Sequence, residues 1–143
     1  MSEKSGRILE DVKVSVKMKL SALWVAMMFL YVYADLLTFY RPGWIGEIME
    51  GKMGPLEASQ ASLLAASIVV IIPAIMVFLS LTLKPKVNRW ANITAGVLFT
   101  LVNIGNLIGE NWAYYILFGI LEIVLTVLIV WTAWKWPAAN KAT

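Results

Sequence analysis

Two residue types that carry much enzyme chemistry are missing from this chain of 143 residues, which contains neither cysteine nor histidine. Without cysteine the chain has no disulfides, no thiolate ligands for an iron–sulfur cluster and no thiol nucleophile. Without histidine it lacks the usual haem ligand, the commonest zinc ligand and the usual proton shuttle near neutral pH. We therefore expect no cofactor and no metal site.

Charged residues are also scarce. They make up 15% of the chain, 60% of the residues are hydrophobic, and the mean hydropathy is +0.76. A soluble domain normally carries about 25% charged residues. The composition therefore favours the lipid bilayer as the surroundings of this protein. The sequence has no phosphate-binding loop, no dinucleotide fingerprint and no basic nucleic-acid face, so we expect no nucleic-acid partner.

Long apolar runs are present in four places. A helix needs about 20 mostly apolar residues to cross a hydrocarbon core about 30 Å thick. The runs cover residues 19–40, 58–83, 90–109 and 112–134. A membrane barrel would show shorter, alternating segments instead. The sequence therefore predicts an all-α fold, an up-down bundle of four transmembrane helices.

This bundle is predicted to form one domain over residues 19–136. Residues 1–18 mix apolar side chains with lysines and are expected to lie in the cytoplasm or on the membrane surface. Residues 137–143 form a cytoplasmic tail in this interpretation. The longest connection, residues 41–57, is expected to lie at the membrane interface with a short helix, and a mobile lid is the alternative.

Lysine and arginine are unevenly distributed between the ends of the four runs. Ten of the twelve fall on one predicted side: Lys4, Arg7, Lys13, Lys17, Lys19, Lys84, Lys86, Arg89, Lys135 and Lys141. The other side has only Arg41 and Lys52. Since the side rich in these residues is normally cytoplasmic, both termini are predicted to be cytoplasmic. The expected location is the cytoplasmic (inner) membrane.

A few polar residues interrupt the apolar runs at helical spacing. Polar stripes on membrane helices are expected to face the bundle interior, because lipid offers them no partner. With a rise of about 1.5 Å per residue, the acids and amides on these stripes fall in the outer half of the bilayer. We therefore expect one polar cluster that opens outward. Its candidate ligand-binding residues are Asp35, Asn103, Asn106, Glu122, Tyr31, Tyr115 and Arg41.

Glu122 is the deepest of these groups, about 15 Å from the outer end of its helix. A charged side chain at such a depth costs about 2.5–3.5 kcal/mol on insertion scales. Arg41 is expected to extend toward Asp35 but not as far as Glu122. We therefore expect Glu122 to be protonated, or hydrogen-bonded to Asn103 or to water.

Three functions fit this pattern. The leading hypothesis is a membrane protein that binds or conducts a small polar solute or ion through the polar cluster. The first alternative is a structural or accessory subunit in which the same residues only hold the helices together. The second is an intramembrane hydrolase that uses Asp35 and Glu122 as a carboxyl pair. No catalytic residue is assigned, and the leading interpretation is not enzymatic.

Gly105 and Gly109 form a small-xxx-small motif, which is typical of closely packed membrane helices. The motif suits a helix pair within the bundle or a homodimer.

Several strings resemble a family of small prokaryotic four-helix membrane proteins of unknown function. They are LSALWVAMMFLYVYADLLTF in the first run, IIPAIMVFLSLTLK in the second and NRWANITAGV at the start of the third. In that family a glutamate commonly precedes the Ile-Pro of the second run, where this chain has Ile71. The resemblance implies the four-helix topology and brings no activity with it.

Overall fold

The structure is a computed structural model that describes residues 11–138. Within this range it contains four long helices, one short helix and a two-stranded hairpin. The elements are α1 (Val16–Thr38), α2 (Trp44–Met49), β1 (Lys52–Met53), β2 (Leu56–Glu57), α3 (Gln60–Thr82), α4 (Pro85–Asn106) and α5 (Ala113–Trp134). The prediction of a mostly helical chain is confirmed. Residues 1–10 of the predicted lead-in and 139–143 of the tail lie outside the described residues.

The helix ends follow local chemistry rather than the limits of the apolar runs. The hydroxyl of Ser15 accepts the backbone N–H of Met18 at 3.3 Å, so α1 begins inside the predicted lead-in. Pro85 occupies the first turn of α4, where a missing N–H costs nothing. As a result α4 starts before the predicted position 90 and ends at Asn106, short of the predicted position 109.

The connection over residues 41–57 contains the predicted short helix, α2, followed by the hairpin. Ile45 and Met49 of α2 are exposed, at 56% and 83%. The antiparallel strands pair Lys52 with Glu57 and Met53 with Leu56. These two residue pairs are the one departure from an all-α fold in the described part of the chain.

Interhelical hydrogen bonds show that the long helices alternate in direction. Bonds between α1 and α4 join start to start and end to end, so these helices run in parallel. Bonds from α1 to α3 and from α4 to α5 join the start of one helix to the end of the other. The bonded pairs are Trp24 with Asn92, Tyr31 with Asn103, Ser21 with Val77, and Arg89 with Trp134.

The distribution of polarity is the reverse of that in a soluble protein. Large apolar side chains such as Leu64, Phe78 and Leu101 are more than 60% exposed. Several polar side chains are fully buried beside a small apolar core: Ser80, Asn88, Asn92, Asn103 and Thr126. Within the described residues, α1, α3 and α5 are long and apolar enough to span a membrane. An apolar exterior of this kind indicates a lipid environment.

A closed hydrogen-bond network joins α1, α3 and α4 at one end of the helices. The Asn92 Oδ1 atom accepts the indole N–H of Trp24 at 2.7 Å and the hydroxyl of Ser80 at 3.1 Å. The Asn92 amide donates to the Asn88 Oδ1 atom at 2.7 Å. The Asn88 amide in turn donates to the Ser80 carbonyl at 2.6 Å. Because all four side chains are fully buried, the network fixes how the three helices meet.

The two halves of α3 differ in their packing. The buried residues of this helix are Pro73, Met76 and Ser80, all in its second half. No residue from 60 to 71 is buried. The first half of α3 therefore leaves a gap between itself and the other long helices.

The glycines of the predicted small-xxx-small motif do not share one helix. Gly105 lies in α4 and has no atom within 4 Å of where a β-carbon would stand. Gly109 lies beyond the end of α4 with φ of +81°, a conformation that favours glycine. The homodimer predicted through these glycines stays a prediction.

We predict that Asn92→Ala lowers the free energy of unfolding by about 1–2 kcal/mol, because it removes the shared acceptor of Trp24 and Ser80. Thermal unfolding of the detergent-solubilised protein, followed by circular dichroism, measures the change. The matched control is Thr94→Ala, an exposed position on the same helix. An equal loss of stability in both variants would contradict the role of the network.

Candidate functional site

A cavity of about 140 Å³ lies among the four long helices, beside the first half of α3. Its polar lining comes from α1, α4 and α5, and its apolar lining includes Val69 and Val70 of α3. The polar lining residues are Tyr31, Asp35, Asn106, Tyr115 and Glu122. The structure thus places five of the seven predicted site residues around one space.

The sixth predicted residue, Asn103, lies behind this lining rather than in it. It is fully buried, and its side-chain oxygen accepts a hydrogen bond from the hydroxyl of Tyr31. Its amide nitrogen has no hydrogen-bond partner among the residues that the structure describes. Asn103 therefore acts on the cavity through Tyr31, whose ring it holds in place.

The two carboxyl groups of the cavity differ in their surroundings. Asp35 is exposed and also lines the cavity. Glu122 is only 6% exposed and lines the cavity from α5. No side chain or backbone N–H of the described residues donates to the Glu122 carboxyl group. The expected bond from Asn103 to Glu122 is absent from these residues, since Asn103 accepts from Tyr31 through its oxygen and its amide nitrogen donates to neither carboxyl group.

The seventh predicted residue, Arg41, does not bond to Asp35 but forms a latch between the two loops beside the cavity. Its Nη2 atom lies 3.0 Å from the Glu110 carboxylate, and its Nε atom donates to the Tyr114 hydroxyl at 2.6 Å. The Tyr114 hydroxyl also bonds to Thr38 at 2.9 Å. The expectation that Arg41 extends to Asp35 is therefore wrong, since a carboxylate in the next loop is available to it.

Aromatic rings surround the Arg41 guanidinium. Its central carbon lies 5.1–5.6 Å from four ring centroids, those of Trp44, Trp112, Tyr114 and Tyr115. Guanidinium groups at such distances are attracted to the faces of aromatic rings. Tyr115 belongs both to this ring of aromatic side chains and to the cavity lining, so the latch fixes one wall of the cavity.

The latch keeps both of its charged partners ionised. Burial alone would raise the pKa of Glu110, but the N–H groups of Trp112 and Asn111 and the guanidinium of Arg41 hold it below the ordinary value. Burial would lower the pKa of Arg41, whereas its hydrogen bonds to Tyr114 and Glu110 raise it. The pair is well shielded, with side-chain exposures of 11% and 15%.

Sequence reasoning missed Glu110 and Tyr114. Glu110 lies on the predicted side that is poor in lysine and arginine, which has just two basic residues, Arg41 and Lys52, to pair with it. The opposite charges of Arg41 and Glu110 in two loops on one side were an available signal. Tyr114 had no such signal, because its role depends on the side of α5 that meets α1.

Chemically, the cavity offers two carboxyl groups, two phenols and one amide to a small polar molecule. Across residues 11–138, no group of three or more acidic, cysteine or histidine side chains could hold a metal ion. The arrangement is therefore suited to hydrogen bonding and charge pairing with a small solute.

The fold and this cavity define a class of protein: long helices, apolar enough to span a membrane, that enclose a small polar space. Residues 7–143 match the model of a family described as "Family of unknown function (DUF6326)", and the chain belongs to this family. No curated protein and no solved structure matches the chain significantly. The predicted resemblance to a family of unknown function is thus confirmed.

We predict that Glu110→Gln lowers the unfolding temperature at neutral pH. Because the folded protein holds the pKa of Glu110 below the ordinary value of 4.5, its contribution is complete above that pH and is lost as the pH falls below it. The melting curves of wild type and variant should therefore converge in acid, which a pH series of thermal unfolding measures.

The matched control is Glu50→Gln. Glu50 lies 3.0 Å from Lys52, but both side chains are more than half exposed. Exposed pairs contribute little to stability, so this variant should melt like the wild type at every pH. A similar loss in the two variants would contradict the importance of the latch.

Proposed function

We propose that this protein is a multi-pass protein of the cytoplasmic membrane, with four spans and both termini in the cytoplasm. Three of the spans are α1, α3 and α5, whose length and hydropathy suit a membrane. The fourth is α4, which is less apolar overall because it carries several asparagines and basic residues. Whether α4 is suited to a membrane therefore depends on where its polar side chains point.

Three of the asparagines on α4 lie inside the protein, and each has at least one hydrogen-bond partner there. Asn88, Asn92 and Asn103 are all fully buried. The side of α4 that is left exposed carries apolar residues, among them Leu101 at 63% and Val97 at 47%. Since a membrane helix must satisfy its polar groups within the protein, this distribution supports a membrane position for α4.

The ends of the helices support the proposed orientation. Lys17, Lys84, Lys86 and Lys135 lie at one end of the four helices, as the alternation of direction requires. The cation of Lys135 lies 4.0 Å from the ring centroid of Trp131. Basic residues and tryptophans at one end are typical of a cytoplasmic membrane interface.

Single cysteines test this orientation cleanly, because the chain has none of its own. We predict that Glu50→Cys reacts with a membrane-impermeant maleimide added to intact cells. Lys86→Cys should react only after the cells are opened, since it lies at the opposite end. Reaction of Lys86→Cys in intact cells would contradict the proposed orientation.

We further propose that the protein binds or conducts a small polar solute or ion through the cavity. The observation that carries this proposal is Glu122, a residue that is only 6% exposed, lines the cavity and has no donor to its carboxyl group among the described residues. Buried polar groups are normally hydrogen-bonded. A group that lacks a partner within the fold and borders an open space is suited to bond to a molecule that enters it.

Water access to the cavity is the test of this function. We predict that Val102→Cys, which lines the cavity, reacts with a small charged methanethiosulfonate reagent. The neighbouring Leu101→Cys, at the same depth but 63% exposed on the outer surface of α4, should not react. Thiols react as thiolates, which need water to form. The difference in rate between the two variants therefore distinguishes a water-filled cavity from a lipid-facing surface.

Slow reaction of both cysteines would count against a cavity open to solutes. It would favour the accessory-subunit alternative, in which the polar residues only hold the helices together. Fast reaction of both would place the outer surface of α4 in water and contradict the membrane proposal.

A further inference from the structure

We propose that the cavity takes a small organic cation, an alkylammonium or guanidinium group held between the carboxyls of Asp35 and Glu122 and the rings of Tyr31 and Tyr115. This inference rests on the proposed function and names the class of solute. Four features of the cavity favour such a cation: the charge of its lining, the Glu122 carboxyl group, its aromatic walls and its size.

The charged side chains that line the cavity are all acidic. Asp35 and Glu122 both line the cavity, and no lysine or arginine does. Arg41, on the far side of Tyr115, is already paired with Glu110. Unpaired carboxylates in a low-dielectric environment are unfavourable, so a positively charged ligand would be bound in preference to a neutral or negative one.

The Glu122 carboxyl group also favours a cationic ligand. Its side chain is shielded from the exterior, faces the cavity and has no hydrogen-bond donor within the described residues. An ionised carboxyl group is an acceptor only. In that state Glu122 lacks a donor, and an ammonium or guanidinium N–H provides a donor and a positive charge together. Binding of such a cation would itself favour the ionised form of Glu122.

The two tyrosines favour a cation over an anion. The hydroxyl hydrogen of Tyr31 is already donated to Asn103, so it is not available to bond an anion. Tyr31 and Tyr115 both line the cavity, and aromatic ring surface attracts alkylammonium and guanidinium groups. The lining thus combines acceptors with aromatic faces.

The size of the cavity separates an organic cation from a bare metal ion. A cavity of about 150 Å³ in another protein holds benzene, and this one is about 140 Å³. A lone metal ion would fill little of that volume, and no group of three or more acidic, cysteine or histidine side chains within residues 11–138 could hold one. An organic cation of about benzene's size matches the cavity volume and needs no group of metal ligands.

The experiment is isothermal titration calorimetry on the full chain in detergent, with three probes of similar size. tert-Butylammonium, which carries N–H donors, is the cation, tert-butanol of the same shape is the neutral probe and methanesulfonate is the anion, each at constant ionic strength. We expect saturable binding of tert-butylammonium alone. Asp35→Asn and Glu122→Gln should each weaken it about tenfold or more, whereas Glu57→Gln in the exposed hairpin should not.

A second measurement does not depend on the acid variants folding normally. In the Val102→Cys protein, tert-butylammonium should slow the reaction of the thiol with the methanethiosulfonate reagent, and tert-butanol should not. Protection by the cation alone supports the proposal even where a carboxyl variant is unstable.

The failures are distinguishable. If Val102→Cys reacts readily but tert-butylammonium neither binds nor protects, the cavity is wet and the cation inference is overturned, while the proposed function stands. Binding of tert-butanol or methanesulfonate in preference to the cation would also overturn the cation inference and leave the proposed function standing. If Val102→Cys does not react at all, the proposed function and this inference both fail.

Discussion

A polar side chain surrounded by apolar helices must find its partner on another helix, because neither hydrocarbon nor an apolar core supplies one. This constraint organises the structure. Asn92 satisfies it by joining Trp24 of α1 and Ser80 of α3 through one amide oxygen. The resulting network sets the relative positions of three helices that are otherwise covered by interchangeable apolar side chains, whose contacts specify register only weakly.

The other end of the helices satisfies the same constraint differently. There the first half of α3 has no buried residue, so α1, α4 and α5 enclose a space that α3 does not fill. The latch of Arg41 and Glu110 ties the loops beside this space and fixes Tyr115 in its wall. One end of the molecule thus contains the closed network of Trp24, Ser80, Asn88 and Asn92, and the other contains a cavity with a carboxyl group that lacks a donor. This contrast is what separates a structural polar cluster from a candidate site.

Helical periodicity was a sound guide to which polar residues would share a space. It placed Tyr31 and Asp35 on one face of α1, and Tyr115 and Glu122 on one face of α5, and all four line the cavity. It did not reveal the partners within that group. Asn103 pairs with Tyr31 rather than Glu122, since hydrogen bonding depends on helix rotation and separation, which no single helix encodes. Arg41 was misplaced for a similar reason, because its choice between Asp35 and Glu110 depends on how two loops approach each other.

By itself, the sequence determined that the chain forms long apolar helices, roughly where they lie, and which side chains would be costly to leave without a partner. These are local properties: length, hydropathy and the spacing of residues along one helix. Only the tertiary structure decided that the asparagines near the start of α4 close into a network while Glu122 stays free beside a cavity. Whether a buried polar group is satisfied depends on atoms from other helices that must lie within about 3 Å, and that proximity exists only after the helices have packed.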